Sequence, residues 1–171
     1  IGKPGPGTHV DMVPFVRQIL RDLDVRMATT IDNYLVTHAG ITQVWANKYI
    51  PDAATVEDVC SALNRMYEQM DHATIKALFS TSPARGGFSL PGPMWADKSE
   101  LSVDPLTGVA QIVGHTPVET VTHVCDTPTC KDRACDLWFC DTFSTCSDGT
   151  SIGDGSMLVV GDGKGLVFSG F

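Results

Sequence analysis

The sequence predicts an α/β fold in which helices pack outside a mixed sheet. Three observations point there. Short runs of β-branched and large apolar residues recur along the chain, among them Tyr34-Leu35-Val36 and Ala110-Gln111-Ile112-Val113. Two longer stretches, 10–23 and 55–79, instead repeat their apolar residues at three- and four-residue spacing. The first pattern suits buried strands and the second suits helices with one apolar face. Apolar residues make up 43% of the 171 and charged ones 19%, a balance that suits a packed core rather than a disordered chain.

Residues 1–9 are rich in Gly and Pro and are expected to be flexible. A helix is predicted over 10–23, with Met12, Phe15, Val16, Ile19, Leu20 and Leu23 on its apolar face and Pro14 in its first turn. Strands at 25–30 and 33–37 flank a turn at Ile31-Asp32-Asn33. In the 55–79 helical region Thr55 suits an N-cap, and Asp58 three residues on completes a capping-box pattern. Val59, Leu63, Met66, Met70, Ile75, Leu78 and Phe79 form the expected buried face, and Asp71-His72-Ala73-Thr74 is a point where the run can split. Residues 80–108 are punctuated by Gly and Pro and are expected to form a long loop, of a kind that often carries function. Strands follow at 110–114, 118–124, 137–141, 157–160 and 166–168. Gly161-Asp162-Gly163-Lys164-Gly165 is a hairpin turn signal, not a phosphate loop, because the Walker spacing is missing and no helix follows.

A net charge of −8 argues against nucleic acid or an anionic membrane as partner. No apolar run approaches the roughly 18 residues that span a bilayer. Five of the six cysteines crowd the last third, and Cys125, Cys130, Cys135 and Cys140 recur every five residues. Structural zinc sites use tighter Cys-x-x-Cys pairs. A zinc site, a disulfide and the ordinary thiols of a cytoplasmic protein all remain open, the last being the expected setting. Cys140 and Cys60 lie in apolar patterns and read as small core residues.

Two histidines stand out. His38 ends the run Tyr34-Leu35-Val36-Thr37 and is followed by Ala39-Gly40; His115 ends Ala110-Gln111-Ile112-Val113-Gly114 and is followed by Thr116-Pro117. A strand that stops at a His and then a turn holds the imidazole rigidly at the sheet's edge, where metal ligands are useful. His38 and His115 are therefore candidate metal ligands, the competing reading being strand-end histidines satisfied by their neighbours. His9, His72 and His123 lack this context. Arg85, beside Gly86-Gly87, has the forked donors that clamp a phosphate, or is a solvated loop arginine. Trp95 either flanks a phosphate cleft or caps the core. Asp141 either shapes the cleft floor and orients a metal-bound His, or simply ends a strand. Neither Gly-x-Ser-x-Gly nor His-Glu-x-x-His occurs, so a serine-hydrolase elbow and a zincin helix are both missing.

These segments carry a family resemblance. Val36-Thr37-His38-Ala39-Gly40-Ile41 resembles the His-(Gly/Ala)-Gly motif of the calcineurin-like metallophosphoesterases, and Val113-Gly114-His115-Thr116-Pro117 their later Gly-His motif. Gly92-Pro93-Met94-Trp95-Ala96-Asp97 is similar to the Trp-x-Asp segment of the phosphoprotein-phosphatase branch, although Asp97 stands where some relatives carry an Arg. Phe139-Cys140-Asp141-Thr142-Phe143 and the run 153–160 resemble that branch's closing strands. The family's earlier motifs, Gly-Asp-x-His, Gly-Asp-x-x-Asp-Arg-Gly and Gly-Asn-His-Glu, do not occur.

The resemblance implies that residues 1–171 are the C-terminal half of a single metallophosphoesterase domain, half of an α/β/β/α sandwich with an apolar face left to cover. It implies two divalent metals (Mn, Fe or Zn) that activate a water, with His38 and His115 in the second metal's shell. The implied substrate is phosphorylated: a phosphoprotein first. His38-Ala39-Gly40-Ile41-x-x-x-Trp45 is similar instead to bis(5′-nucleosyl)-tetraphosphatases, which would make the substrate a dinucleoside tetraphosphate. The non-enzymatic expectation is a half-domain that packs on a partner chain supplying the N-terminal half. Without a bridging carboxylate, two histidines alone are expected to hold a metal pair weakly or not at all.

Overall fold

A computed structural model describes residues 12–124, 136–162 and 164–168, and within them the β-branched runs pair into one mixed sheet and one hairpin. Strands β1 (Ala28–Ile31) and β2 (Tyr34–Thr37) are antiparallel across Asp32-Asn33, with Asp32 at φ 51° as such tight turns require. Strand β3 (Ala110–Val113) lies parallel to β2. Strand β4 (Thr122–Val124) is antiparallel to β5 (Leu137–Phe139), which is itself parallel to β3, so the order is β1-β2-β3-β5-β4. The hairpin of β6 (Met157–Gly161) and β7 (Lys164–Phe168) forms a second, two-stranded sheet.

Strand alternation sorts the core into two faces. Leu35, Val113, Leu137 and Phe139 point to one side, where the helices α2 (Gln43–Tyr49), α3 (Val56–Gln69), α4 (His72–Leu78) and α5 (Lys98–Val103) supply Trp45, Val59, Leu63, Leu78 and Leu101. Tyr34, Ile112 and Trp138 point to the other side and meet Leu158 and Val160 of β6. Helices, sheet and hairpin thus make three layers of a mixed α/β fold. Helix α1 (Val13–Asp22) precedes β1 and leaves Phe15, Ile19 and Leu23 exposed.

An open groove of about 420 Å³ runs between the sheet and β6, lined by Ile31, Val36, Ile112, Cys140, Phe143 and Met157. Among the described residues no helix is long and apolar enough to cross a membrane.

The helical region 55–79 splits where Asp71 suggested. Thr55 and Asp58 close a full capping box at the start of α3. Met70 ends the helix in a left-handed conformation, φ 42°, and Asp71 caps α4 by accepting from Thr74 N. That break changes the helical phase. Val59, Leu63 and Leu78 are buried as expected, while Met70, Ile75 and Phe79 are exposed instead. The 80–108 segment is not all loop either: it contains a 3-10 turn at Pro83–Arg85 and helix α5. Helix α5 opens with Asp97 and Glu100 in a second capping box.

Candidate functional site

Three parallel strands, β2, β3 and β5, end side by side, and each is followed within two residues by a group able to do chemistry: His38, His115 and Asp141. The β2–β3 ladder runs past the strands, with Gly114 N donating to His38 O at 3.0 Å. In open α/β sheets the carboxyl ends of parallel strands are where ligand crevices form.

The two imidazoles converge. His38 Nε2 lies 2.9 Å from His115 Nδ1, a contact in which one ring donates and the other accepts. His38 is exposed and His115 half-buried. Burial, the neighbouring His38 ring and the Arg85 guanidinium lower the His115 pKa, outweighing the upward pull of Asp141 and Asp97. His115 Nε2 is buried and has no hydrogen-bond partner. The ring nitrogen that faces His38 is the other one, Nδ1, and a neutral imidazole is the form that ligates a metal. The Trp95 indole meets the His115 ring edge-on, centroids 5.3 Å apart, and remains 42% exposed, so Trp95 flanks the pair instead of capping the core.

Two devices hold the loop after β2. The buried Gln111 side chain accepts from Ile41 N at 2.9 Å and donates to Ile41 O at 3.0 Å, fastening the loop to β3. Gly40 adopts φ 94°, and a Cβ there would sit 2.6 Å from Leu101 Cδ1 and 3.0 Å from Val113 Cγ1. Both the left-handed backbone and the missing space demand glycine. Gly40→Ala is expected to cost about 2–4 kcal/mol, from left-handed strain and overpacking together, read as a lower urea midpoint. A cost within about 0.5 kcal/mol, the range of a neutral surface change, would contradict this packing.

Arg85 is engaged by the protein itself. Its Nη2 lies 3.0 Å from Asp97 Oδ2 and donates to Thr116 Oγ1 at 2.6 Å, while its buried Nε has no partner. Burial pushes the Asp97 carboxyl up, but bonds from Ser99 and the charges of Arg85 and His115 leave it below the ordinary range. Asp141 accepts from Ser144 Oγ on both oxygens, at 2.8 and 2.9 Å.

His72 starts α4, away from this edge. His123 pairs with Asp136, which also accepts from Tyr34 OH at 2.9 Å, and stacks on Trp138 with centroids 3.9 Å apart. His9, Cys125, Cys130 and Cys135 lie outside the described residues, and with them the cysteine repeat. Cys60, Cys140 and Cys146 are free thiols, and burial pushes the Cys140 thiol up to about 11, which makes it unreactive.

The residues fit a metal in part. Two imidazole nitrogens that share an ion at about 2.0–2.1 Å each lie roughly 3 Å apart in adjacent positions of one shell, which the His38–His115 spacing matches. Among the described residues no group of three or more His, Cys, Asp or Glu could hold an ion, so this pair could supply at most part of one shell, and a second ion finds no donor set there. Gln111 and Thr116 escaped the sequence reading. An amide inside an apolar strand was the available signal for Gln111, since a buried polar group must find partners. No family model, curated protein or solved structure matches the chain.

Proposed function

We propose that the chain carries the later metal ligands and one wall of the cleft of a metal-dependent phosphoesterase, with the sheet and hairpin as half of a calcineurin-like α/β/β/α sandwich. The convergence of His38 and His115 at the carboxyl edge of adjacent parallel strands carries this reading. Divalent Mn, Fe or Zn, when bound, supplies an activated water near neutral pH and neutralises phosphate charge.

The chain's own part is to present two imidazoles, held neutral on the His115 side by burial, at fixed spacing. Trp95 shields one flank of the pair from water, and Asp141 projects its charge onto His115. Arg85 and Lys98 are the cations near this edge, and Asp97 already pairs with Arg85, so charge for a phosphorylated substrate would come from the metal. A phosphoprotein is the first substrate class and a dinucleoside tetraphosphate the second. The cytoplasm is the proposed setting, on the free thiols.

A second reading, a catalytically incomplete half-domain that packs on a partner chain, is supported by the open apolar groove beside β6. Mn²⁺-dependent hydrolysis of p-nitrophenyl phosphate after chelation separates the two. Turnover that appears with Mn²⁺ supports the enzyme. Mn²⁺ bound without turnover supports the half-domain, and no bound Mn²⁺ contradicts the metal centre.

A further inference from the structure

The turn that carries His115 is held in an unfavourable shape. His115 sits at φ 63°, a region that non-glycine residues rarely adopt, and Thr116 N closes the turn on Gly114 O at 2.7 Å. Such a backbone persists only where its surroundings over-determine it. Here the surroundings meet at one atom. Thr116 Oγ1 accepts from Arg85 Nη2 at 2.6 Å and from Lys98 N at 3.2 Å, joining the turn after β3 to the 3-10 turn and to the start of α5. A hydroxyl oxygen has two acceptor lone pairs, and both are used. Asp97 Oδ2 faces the same Nη2 at 3.0 Å.

We propose that Thr116 is a positioning residue: its hydroxyl, through Arg85 and Lys98, aims the His115 imidazole at His38. The consequence for a metal rests on the proposed function; the positioning itself does not. Valine has the shape of threonine without the oxygen, so it would take the acceptor from Lys98 N, leave Arg85 Nη2 with Asp97 alone, and free the turn. Serine keeps the oxygen.

The test compares Thr116→Val and Thr116→Ser by long-range ¹H–¹⁵N spectra of the histidine rings in metal-free protein, followed by Mn²⁺ titration. Thr116→Val is expected to move the His115 and His38 ring signals while those of His72 and His123 stay in place, and to weaken Mn²⁺ binding at least tenfold. Thr116→Ser should match the wild type in both measurements. Arg85→Met removes the single nitrogen, Nη2, that reaches both Thr116 and Asp97, and should move the same two rings. It replaces Thr116→Val if that variant does not fold. Unmoved His115 and His38 signals in Thr116→Val, or in Arg85→Met where it stands in, would overturn the proposal. If wild-type protein takes up no Mn²⁺, the metal reading fails, while the ring spectra still decide the role of Thr116.

Discussion

Where the remaining metal ligands are supplied, replacing His115 with Ala is expected to lower Mn²⁺-dependent turnover of an aryl phosphate by two to three orders of magnitude, about 3–4 kcal/mol of transition-state stabilisation. Folding stability should change far less. The ring is half-buried, its Nε2 makes no hydrogen bond, and the two rings it meets, His38 and Trp95, are both exposed. The loss should be larger at limiting Mn²⁺, and excess Mn²⁺ should restore part of it, because a weakened shell can be refilled by mass action. His72→Ala is the matched control: that residue is exposed at the start of α4. His123 serves less well, since Asp136 and Trp138 both hold it and its removal would disturb the β4–β5 edge. Equal losses at His72 and His115, or an unchanged rate for His115→Ala, would mean that the His115 turn is only a strand ending.

The largest effect on folding is expected at Trp45. This indole is wholly buried, packs beside Tyr49 with centroids 5.1 Å apart, and donates from Nε1 to Ala77 O at 3.0 Å. It joins α2 to α4 within the main core. Trp45→Ala should cost about 3–5 kcal/mol from the cavity, while the Ala77 carbonyl keeps Ser80 Oγ as a donor at 3.1 Å. Against a typical domain stability of about 5–15 kcal/mol, that removes a large share of the folding margin. Trp45→Phe should cost distinctly less, and urea denaturation of the two variants reads the difference. A Trp45→Ala midpoint within error of the wild type would contradict the packing. Trp45 is also the residue that likens the chain to dinucleoside tetraphosphatases, and its place in the core explains its presence without a nucleotide.

What could be read from the sequence was what local patterning controls. Short β-branched runs located β2, β3 and β5, because buried parallel strands have few other ways to be written. Thr55 and Asp58 marked the start of α3, since a capping box is a contact among neighbours. The pairing of His38 with His115 followed from their matched strand ends, and needed only that the two strands lie adjacent and parallel.

Other features depended on distant partners. Helix α2 follows Thr42, whose hydroxyl accepts from Trp45 N, yet its seven residues are too few to show a period. Helix α5 was hidden among Gly and Pro, although Asp97 and Glu100 carried the same capping signature as Thr55 and Asp58. The exposure of Ile75 and Phe79 comes from the phase change at Met70, which a single helical wheel across 55–79 cannot express. Arg85 read as a solvated loop arginine or a phosphate clamp because nothing local announces Asp97 and Thr116, 12 and 31 residues on in sequence, as its partners.

The account turns on one ion shared by two strand-end histidines. Sub-stoichiometric Mn²⁺ added to chelator-treated protein tests this directly, because a paramagnetic ion broadens the ring signals nearest to it. The His38 and His115 ring signals should broaden together and first, with the Trp95 indole signal next, since its ring meets His115 edge-on. Broadening that begins at His72 or His123, or that leaves both His38 and His115 sharp at saturating Mn²⁺, would contradict the metal centre.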